Sequence, residues 1–175
     1  MKGTDPTSEQ DWINNVQQAV NGTALGWTKE YAEALTIAQF VKAPYNGLIL
    51  PGSSLTLTGH SLGGGLASYV SLKLALPAYT FNAAALSLKT IASEGIIPAK
   101  AQNPFQTIYS YYIRGELLTS IQLKFGTLLV RPGFLIPLAP PMQVLQSTPG
   151  PLQPLKLHLM DSVLLALGLS WYLSQ

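Results

Sequence analysis

The sequence predicts an α/β fold in which a mostly parallel sheet carries helices on both faces, built as one domain over residues 1–175. Three observations point there. The short run Leu55-Thr56-Leu57-Thr58 passes through glycine into an apolar helical stripe of Leu62, Leu66, Val70 and Leu74. Pro77 closes that helix, and Tyr79-Thr80-Phe81 resumes an extended pattern. Strand, tight turn, helix and strand in so short a span make a βαβ unit, which implies a parallel pair of strands. The alternation then continues, with a helical stretch from Ala83 to Ser93 and a β-rich run from Thr107 to Ile113.

The flanking elements follow from the same patterns. Thr7 and Gln10, or Ser8 and Asp11, stand at capping-box spacing before Trp12, Ile13, Val16, Ala19 and Val20, which share one helical face until Asn21-Gly22. Thr28 opens a second helix with Tyr31, Leu35, Ala38 and Val41 on one side, stopped by Pro44 and Gly47. Leu48 to Leu50 reads as a short extended piece. The β-run at Ile113 stops at Arg114-Gly115-Glu116. From Leu117 to Leu157 the periodicity is irregular and the stretch proline-rich, with no acidic residue. A closing apolar helix is expected from Leu159 to Leu173, with Asp161 in its first turn, where the helix dipole favours an anion.

Composition narrows the function. The chain is 47% hydrophobic and 10% charged, with a mean hydropathy of +0.25, high enough to suggest apolar surface for a lipid or a partner. A net charge of +2 without a basic run argues against nucleic acid as a partner. The absence of cysteine removes thiolate catalysis and zinc ribbons, and no metal or other cofactor is implied. Met1 to Pro6 contains no apolar h-region, so no signal peptide is read. That suits a cytoplasmic protein and equally export by a route needing none. The apolar stretch from Leu128 to Leu145 is interrupted by Arg131 and by Pro132, Pro137, Pro140 and Pro141, and does not read as a spanning helix.

Within the βαβ unit, Gly59-His60-Ser61-Leu62-Gly63 puts one serine on the strand-to-helix turn. Bulky neighbours would clash on so tight a turn, and glycines remove the clash. This is the nucleophile position of an α/β hydrolase. A serine hydroxyl needs a base, and the base needs an orienting carboxylate. Of the two histidines, His60 lies inside the turn with its side chain directed elsewhere, which leaves His158 as the base. Hydrolases of this fold run serine, acid, histidine along the chain. Between Ser61 and His158 lie Glu94, in a Ser-Glu-Gly loop expected to face solvent, and Glu116, on a turn at the carboxyl edge of the sheet. Glu116 is the candidate acid. Asp161, three residues past His158, is the alternative.

These segments resemble the class 3 lipase and phospholipase A1-like branch of the α/β hydrolases, in particular its small bacterial lipase-like domains. The resemblance lies in Lys2-Gly3-Thr4-Asp5-Pro6, in Gln10-Asp11-Trp12 with Asn15, in Leu57 to Ala67, and in Thr80-Phe81-Asn82-Ala83. It continues through Tyr112 to Leu118 and His158 to Val163. It implies that the N–H groups of Thr4 and Leu62 form the oxyanion hole. The chain departs from the family in two respects. The family acid is usually aspartate, so Glu116 must reach one methylene further. The strands that ordinarily precede the Gly-Thr segment are absent, with Met1 standing where a strand ends. The sheet is therefore expected to be short of N-terminal strands, leaving an edge for a partner, a second copy or an upstream segment to cover.

The expected activity is hydrolysis of carboxylic esters in lipids or phospholipids, with Ser61 as nucleophile, His158 as base and Glu116 as its orienting acid. Residues 117–157 are the candidate lid or substrate-contact region. There Phe125, Leu128, Phe134, Leu135 and Met142 offer apolar surface for peripheral membrane contact, and Lys124 or Arg131 is placed to meet lipid phosphates. The competing reading of these residues is ordinary core strand and loop. Two rival functions stand beside the main one: an esterase or thioesterase on small soluble acyl substrates, and an inactive, shortened hydrolase fold used as a binding module.

Overall fold

The computed structural model describes residues 25–43, 53–96, 107–124, 129–148 and 150–169. The expected first helix, Thr4, the Leu48 to Leu50 piece, Phe125 and Leu128 lie outside them, whereas the closing helix expected to run from Leu159 to Leu173 ends within them at Ala166, where Leu167 caps it and Gly168, with φ 75°, turns the chain. Along the chain the elements are α1 (Leu25–Lys42), β1 (Leu57–His60), α2 (Leu62–Leu74), β2 (Ala78–Phe81), β3 (Leu86–Ser87) and α3 (Leu88–Ser93). They continue with β4 (Ile108–Ile113), α4 (Leu117–Lys124), β5 (Leu129–Val130), β6 (Phe134–Leu138), α5 (Met142–Ser147), α6 (Gln153–His158) and α7 (Met160–Ala166).

The class is the expected one. Four strands form a parallel sheet in the order β1-β2-β4-β6, with Leu57 beside Ala78, Ala78 beside Ile108 and Tyr109 beside Phe134. β3 and β5 make a separate two-stranded antiparallel ribbon. Among the described residues no strand pairs with the outer edge of β1.

One sheet face presents Leu57, Ala78 and Ile108 to α2, whose Leu66, Ala67, Tyr69 and Val70 are buried against them. The expected single stripe on this helix is too narrow: every residue from Gly63 to Ser71 is buried. The cause is the second layer, because α1 lies on the far side of α2 through Tyr31, Ala34 and Ala38, with the Tyr31 and Tyr69 rings 4.7 Å apart. The other sheet face is aromatic. Tyr79, Tyr109 and Phe134 stack across three strands at 5.2 and 6.0 Å, and Phe81 stacks on Tyr111 at 5.5 Å. At the carboxyl end of this face a smaller cluster joins Ile113 to Val144, Leu157 and Val163, with Phe81 and Leu138 against it. That cluster seats α5, α6 and α7 where the strands end.

Three further expectations need correction. β1 starts at Leu57 and runs to His60, so the strand continues to the residue before the serine rather than stopping at Thr58. The helix expected from Ala83 begins only at Leu88. Ala83 and Ala84 instead run close against α2, and Leu86–Ser87 pair with β5. The irregular span 117–157 holds α4, β5, α5, most of α6 and the fourth sheet strand, β6. β6 escaped recognition because Pro137 interrupts its pattern, which an edge strand tolerates.

Candidate active site

The carboxyl ends of β1, β2 and β4 converge on one point, and the residues singled out in the sequence arrive there by different routes. Ser61 occupies the turn from β1 into α2 with φ 56° and ψ −124°, a conformation that non-glycine residues adopt only under strain. The surroundings enforce it. A Cβ on Gly59 would stand 2.1 Å from the Gly63 carbonyl oxygen, and one on Gly64 would stand 2.7 Å from the Ala83 Cβ. The chain after β2 therefore passes directly over the start of α2. The Ser61 N–H donates to the Phe81 carbonyl at 3.1 Å, and its own carbonyl accepts the N–H groups of Gly64, Gly65 and Ala84. The serine is thus held from both sides.

Glu116 reaches the site from the end of β4. Gly115, with φ 82°, turns the chain, and Glu116 takes the N-cap position of α4. Its Oε2 accepts the Leu118 N–H at 2.8 Å, and its Oε1 accepts the Thr119 N–H. Those are two of the donors that a helix start leaves without partners. The longer reach of glutamate is used here, because the carboxylate caps its own helix and still meets His158. The side chain is fully buried. Burial alone would raise its pKa, yet the hydrogen bond and electrostatic attraction of His158 and the bonds from Thr119 outweigh burial and hold the carboxyl below its ordinary range.

His158 is the last residue of α6. Its Nδ1–H donates to Glu116 Oε2 at 2.5 Å, and its Nε2 accepts from the Ser61 Oγ at 2.9 Å. The carboxylate accepts only, so it fixes the tautomer with the proton on Nδ1 and the lone pair of Nε2 toward the serine. Ser61, Glu116 and His158 are therefore joined in one hydrogen-bonded chain. Asp161, the alternative acid, lies exposed in the first turn of α7 and has no part in it. Glu94 is also placed elsewhere, though not in free solvent as expected: it accepts the Tyr69 hydroxyl at 2.8 Å and pairs with Lys73 at 3.5 Å.

The Leu62 N–H belongs to the first residue of α2, where no carbonyl four residues back is available to it. Thr4 lies outside the described residues. Arg131 sits half-buried with its guanidinium 4.5 Å above the Tyr112 ring. Burial lowers its pKa, and Glu116 acts in the opposite direction. Among the described residues no cluster of three or more His, Asp or Glu side chains stands ready for a metal ion. No helix among them is long and apolar enough to cross a membrane.

Two contributors were missed in the sequence. His60, expected only to be directed elsewhere than the serine, reaches the backbone of His158, where its Nε2–H donates to the carbonyl at 2.7 Å. Asn82, quoted only as part of a motif, is fully buried and hydrogen-bonded to both the β4 end and the α6 end. The one local signal for Asn82 is an asparagine directly after a strand, a residue type that tolerates positive φ.

A family model described as phospholipase-like, a Tle-like phospholipase domain, matches residues 1–133. The chain belongs to this family. The matched region includes Ser61 and Glu116, and His158 lies beyond it. The chain is also 36% identical over 115 residues to a protein described as an extracellular phospholipase A1 from Serratia liquefaciens. The alignment takes in 65% of this chain and 33% of that relative, so the chain spans about a third of the relative's length.

Proposed function

We propose that the chain is a serine hydrolase of the α/β-hydrolase type that cleaves carboxylic esters of lipids or phospholipids through an acyl-enzyme. The observation that carries this reading is the buried chain of hydrogen bonds from Ser61 through His158 to Glu116. Ser61 Oγ attacks the ester carbonyl carbon while its proton passes to His158 Nε2. The imidazolium so formed faces the ionised Glu116. The N–H of Leu62, together with that of Thr4, is assigned to the tetrahedral oxyanion; each such donor is worth about 3 kcal/mol in the transition state. His158 then gives its proton to the departing alkoxide, leaving an acyl group on Ser61. Water reverses the sequence, losing a proton to Nε2 as it attacks, and the serine recovers that proton as the carboxylic acid leaves.

The choice of a lipid ester is supported by membership of a phospholipase-like family and by the description of the Serratia relative. It is further supported by Phe134, Leu135 and Met142, apolar side chains left 51%, 42% and 63% exposed in the candidate contact region. The test is labelling with a serine-reactive fluorophosphonate, then rates on phospholipid vesicles, on micellar long-chain esters and on soluble short esters. Labelling of wild type that disappears in Ser61→Ala, with rates rising at the lipid surface, is expected. Equal labelling of both proteins sinks the serine mechanism. Activity confined to soluble esters replaces the lipid substrate with a small acyl ester.

A further inference from the structure

Asn82 is the residue on which the acid and base segments meet. It follows β2 directly, with φ 43° and no exposed surface. Its N–H donates to the Tyr111 carbonyl at 2.8 Å, and its Oδ1 accepts the Ile113 N–H at 2.9 Å. Its Nδ2 donates to the carbonyls of His158, at 2.9 Å, and Leu157, at 3.2 Å. Ile113 ends the strand that delivers Glu116, while Leu157 and His158 end the helix that delivers the base. A single buried side chain fastens one to the other.

The His158 carbonyl takes a second donor from across the site. His60 Nε2 lies 2.7 Å from it, and since a carbonyl oxygen only accepts, that nitrogen carries the proton. The two imidazole rings stand 4.9 Å apart. His60 is the neighbour of Ser61, so the peptide of His158 is tied both to the serine turn and, through Asn82, to the acid strand. The need for such ties is local. α6 has six residues and stops at Leu159, which turns to an extended conformation, so the last carbonyls of α6 have no partners within the helix. Left unheld, that helix end would carry the imidazole away from both of its partners.

We propose that Asn82 and His60 are positioning residues that clamp the His158 backbone, so that its imidazole meets Ser61 and Glu116 together. The kinetic side of this inference rests on the hydrolase reading above, whereas the clamp itself has a readout independent of turnover. Wild type, His60→Phe, His60→Gln and Asn82→Asp are compared in the full chain by kcat and KM on a soluble short-chain ester. The same proteins are compared by thermal unfolding and by the low-field proton resonance of His158 Nδ1–H against Glu116. His60→Phe removes the donor and keeps the ring; kcat should fall about 10- to 100-fold with KM within about twofold, and the low-field resonance should shift or broaden. His60→Gln, whose amide nitrogen reaches nearly the same point, should recover kcat to within about threefold and restore the resonance. Asn82→Asp keeps the acceptor for Ile113 and loses both donors, and should behave like His60→Phe. If it does not fold, the two His60 variants decide. Unchanged kcat and resonance in His60→Phe overturn the proposal, as does a loss that His60→Gln does not relieve. If wild type neither labels with fluorophosphonate nor hydrolyses esters, the hydrolase reading falls, and the resonance alone judges the clamp: loss in His60→Phe with return in His60→Gln upholds it, persistence throughout overturns it.

Discussion

Replacing Glu116 with glutamine keeps the shape of the side chain and removes its charge, and the structure dictates what the amide must then do. Oε2 accepts two N–H groups, from Leu118 and His158, while Oε1 accepts one, from Thr119. An amide has a single oxygen. With that oxygen in the Oε2 place, its NH2 faces the Thr119 N–H, and two donors confront each other at the helix cap. With the oxygen in the Oε1 place, the NH2 faces both the Leu118 N–H and His158 Nδ1. The imidazole can relieve the second clash only by moving its proton to Nε2, which then has no lone pair for the Ser61 proton. Either arrangement also leaves the imidazolium of the transition state without its counter-charge in a site closed to solvent. Loss of the correct tautomer in a triad costs about 10⁴ in kcat, so a fall of about 10³- to 10⁴-fold is expected, or roughly 4 to 5 kcal/mol of barrier. The lost cap bond adds about 1 to 3 kcal/mol of destabilisation, because a buried donor is left unpaired. The assay is single-turnover fluorophosphonate labelling of Ser61 together with urea unfolding of the same preparations, which separates chemistry from stability. Asp161→Asn, at an exposed position, should label within about twofold of wild type. If Glu116→Gln labels normally and Asp161→Asn does not, the acid has been misassigned.

Ser61→Gly should unfold at higher denaturant than Ser61→Ala, by about 1 kcal/mol, because only glycine adopts φ 56° without cost; equal midpoints would mean that the turn is not strained. Gly64→Ala forces a methyl into the space of Ala83, where backbone and not only side chain stands in the way; urea unfolding should register a loss of about 1 to 3 kcal/mol, and a neutral result would refute the close approach of the two segments. Burial first and the nearby His158 second push His60 down from 6.5 to about 4. The unfolded chain therefore takes up a proton at His60 as pH falls below about 6.5 while the folded chain resists until about 4, so stability is lost across that window, by at most about 3 kcal/mol. His60→Gln should flatten the pH 4 to 6.5 slope of the unfolding free energy, and an unchanged slope assigns the loss to other groups. Glu116 acts lower on the scale: its depressed carboxyl stabilises the fold above the ordinary carboxylate range and ceases to do so as pH falls through its folded value, a limb that should vanish in Glu116→Gln.

What the sequence disclosed was local sterics and periodicity. The serine turn is legible because Gly59, Gly64 and Gly65 answer close approaches only a few residues away or in the adjoining strand connection, and the helices are legible from their spacing. Glu116 was reachable through chain order and the position of a strand end, though its use as a helix cap was not, since glutamate is a weak signal at that position. β6 was lost because an edge strand accepts proline and exposed apolar residues, which erases the alternation by which strands are recognised. Asn82 was lost for a different reason: its partners lie 31, 75 and 76 residues away, and nothing within its own tetrapeptide reveals a long-range bridge.

The pieces of the site differ in how they are held, and this bears on how the site assembles. Ser61 and Glu116 are each fixed within their own strand-to-helix connection, by bonds to residues near in sequence or in the neighbouring strand. His158 comes on a six-residue helix far along the chain, too short to be stable alone. Its place depends on apolar contact of Leu157 with Ile113 and Val163, and on the two polar ties from Asn82 and His60. Apolar contact alone tolerates small slides of a helix end, whereas two directed bonds to one carbonyl do not. Ser61 and Glu116 are thus placed by the sheet, and on the proposed mechanism His158 is the part whose alignment calls for dedicated residues. Variation in activity among changes remote from the three site residues should therefore concentrate on the carboxyl end of α6 and on what touches it.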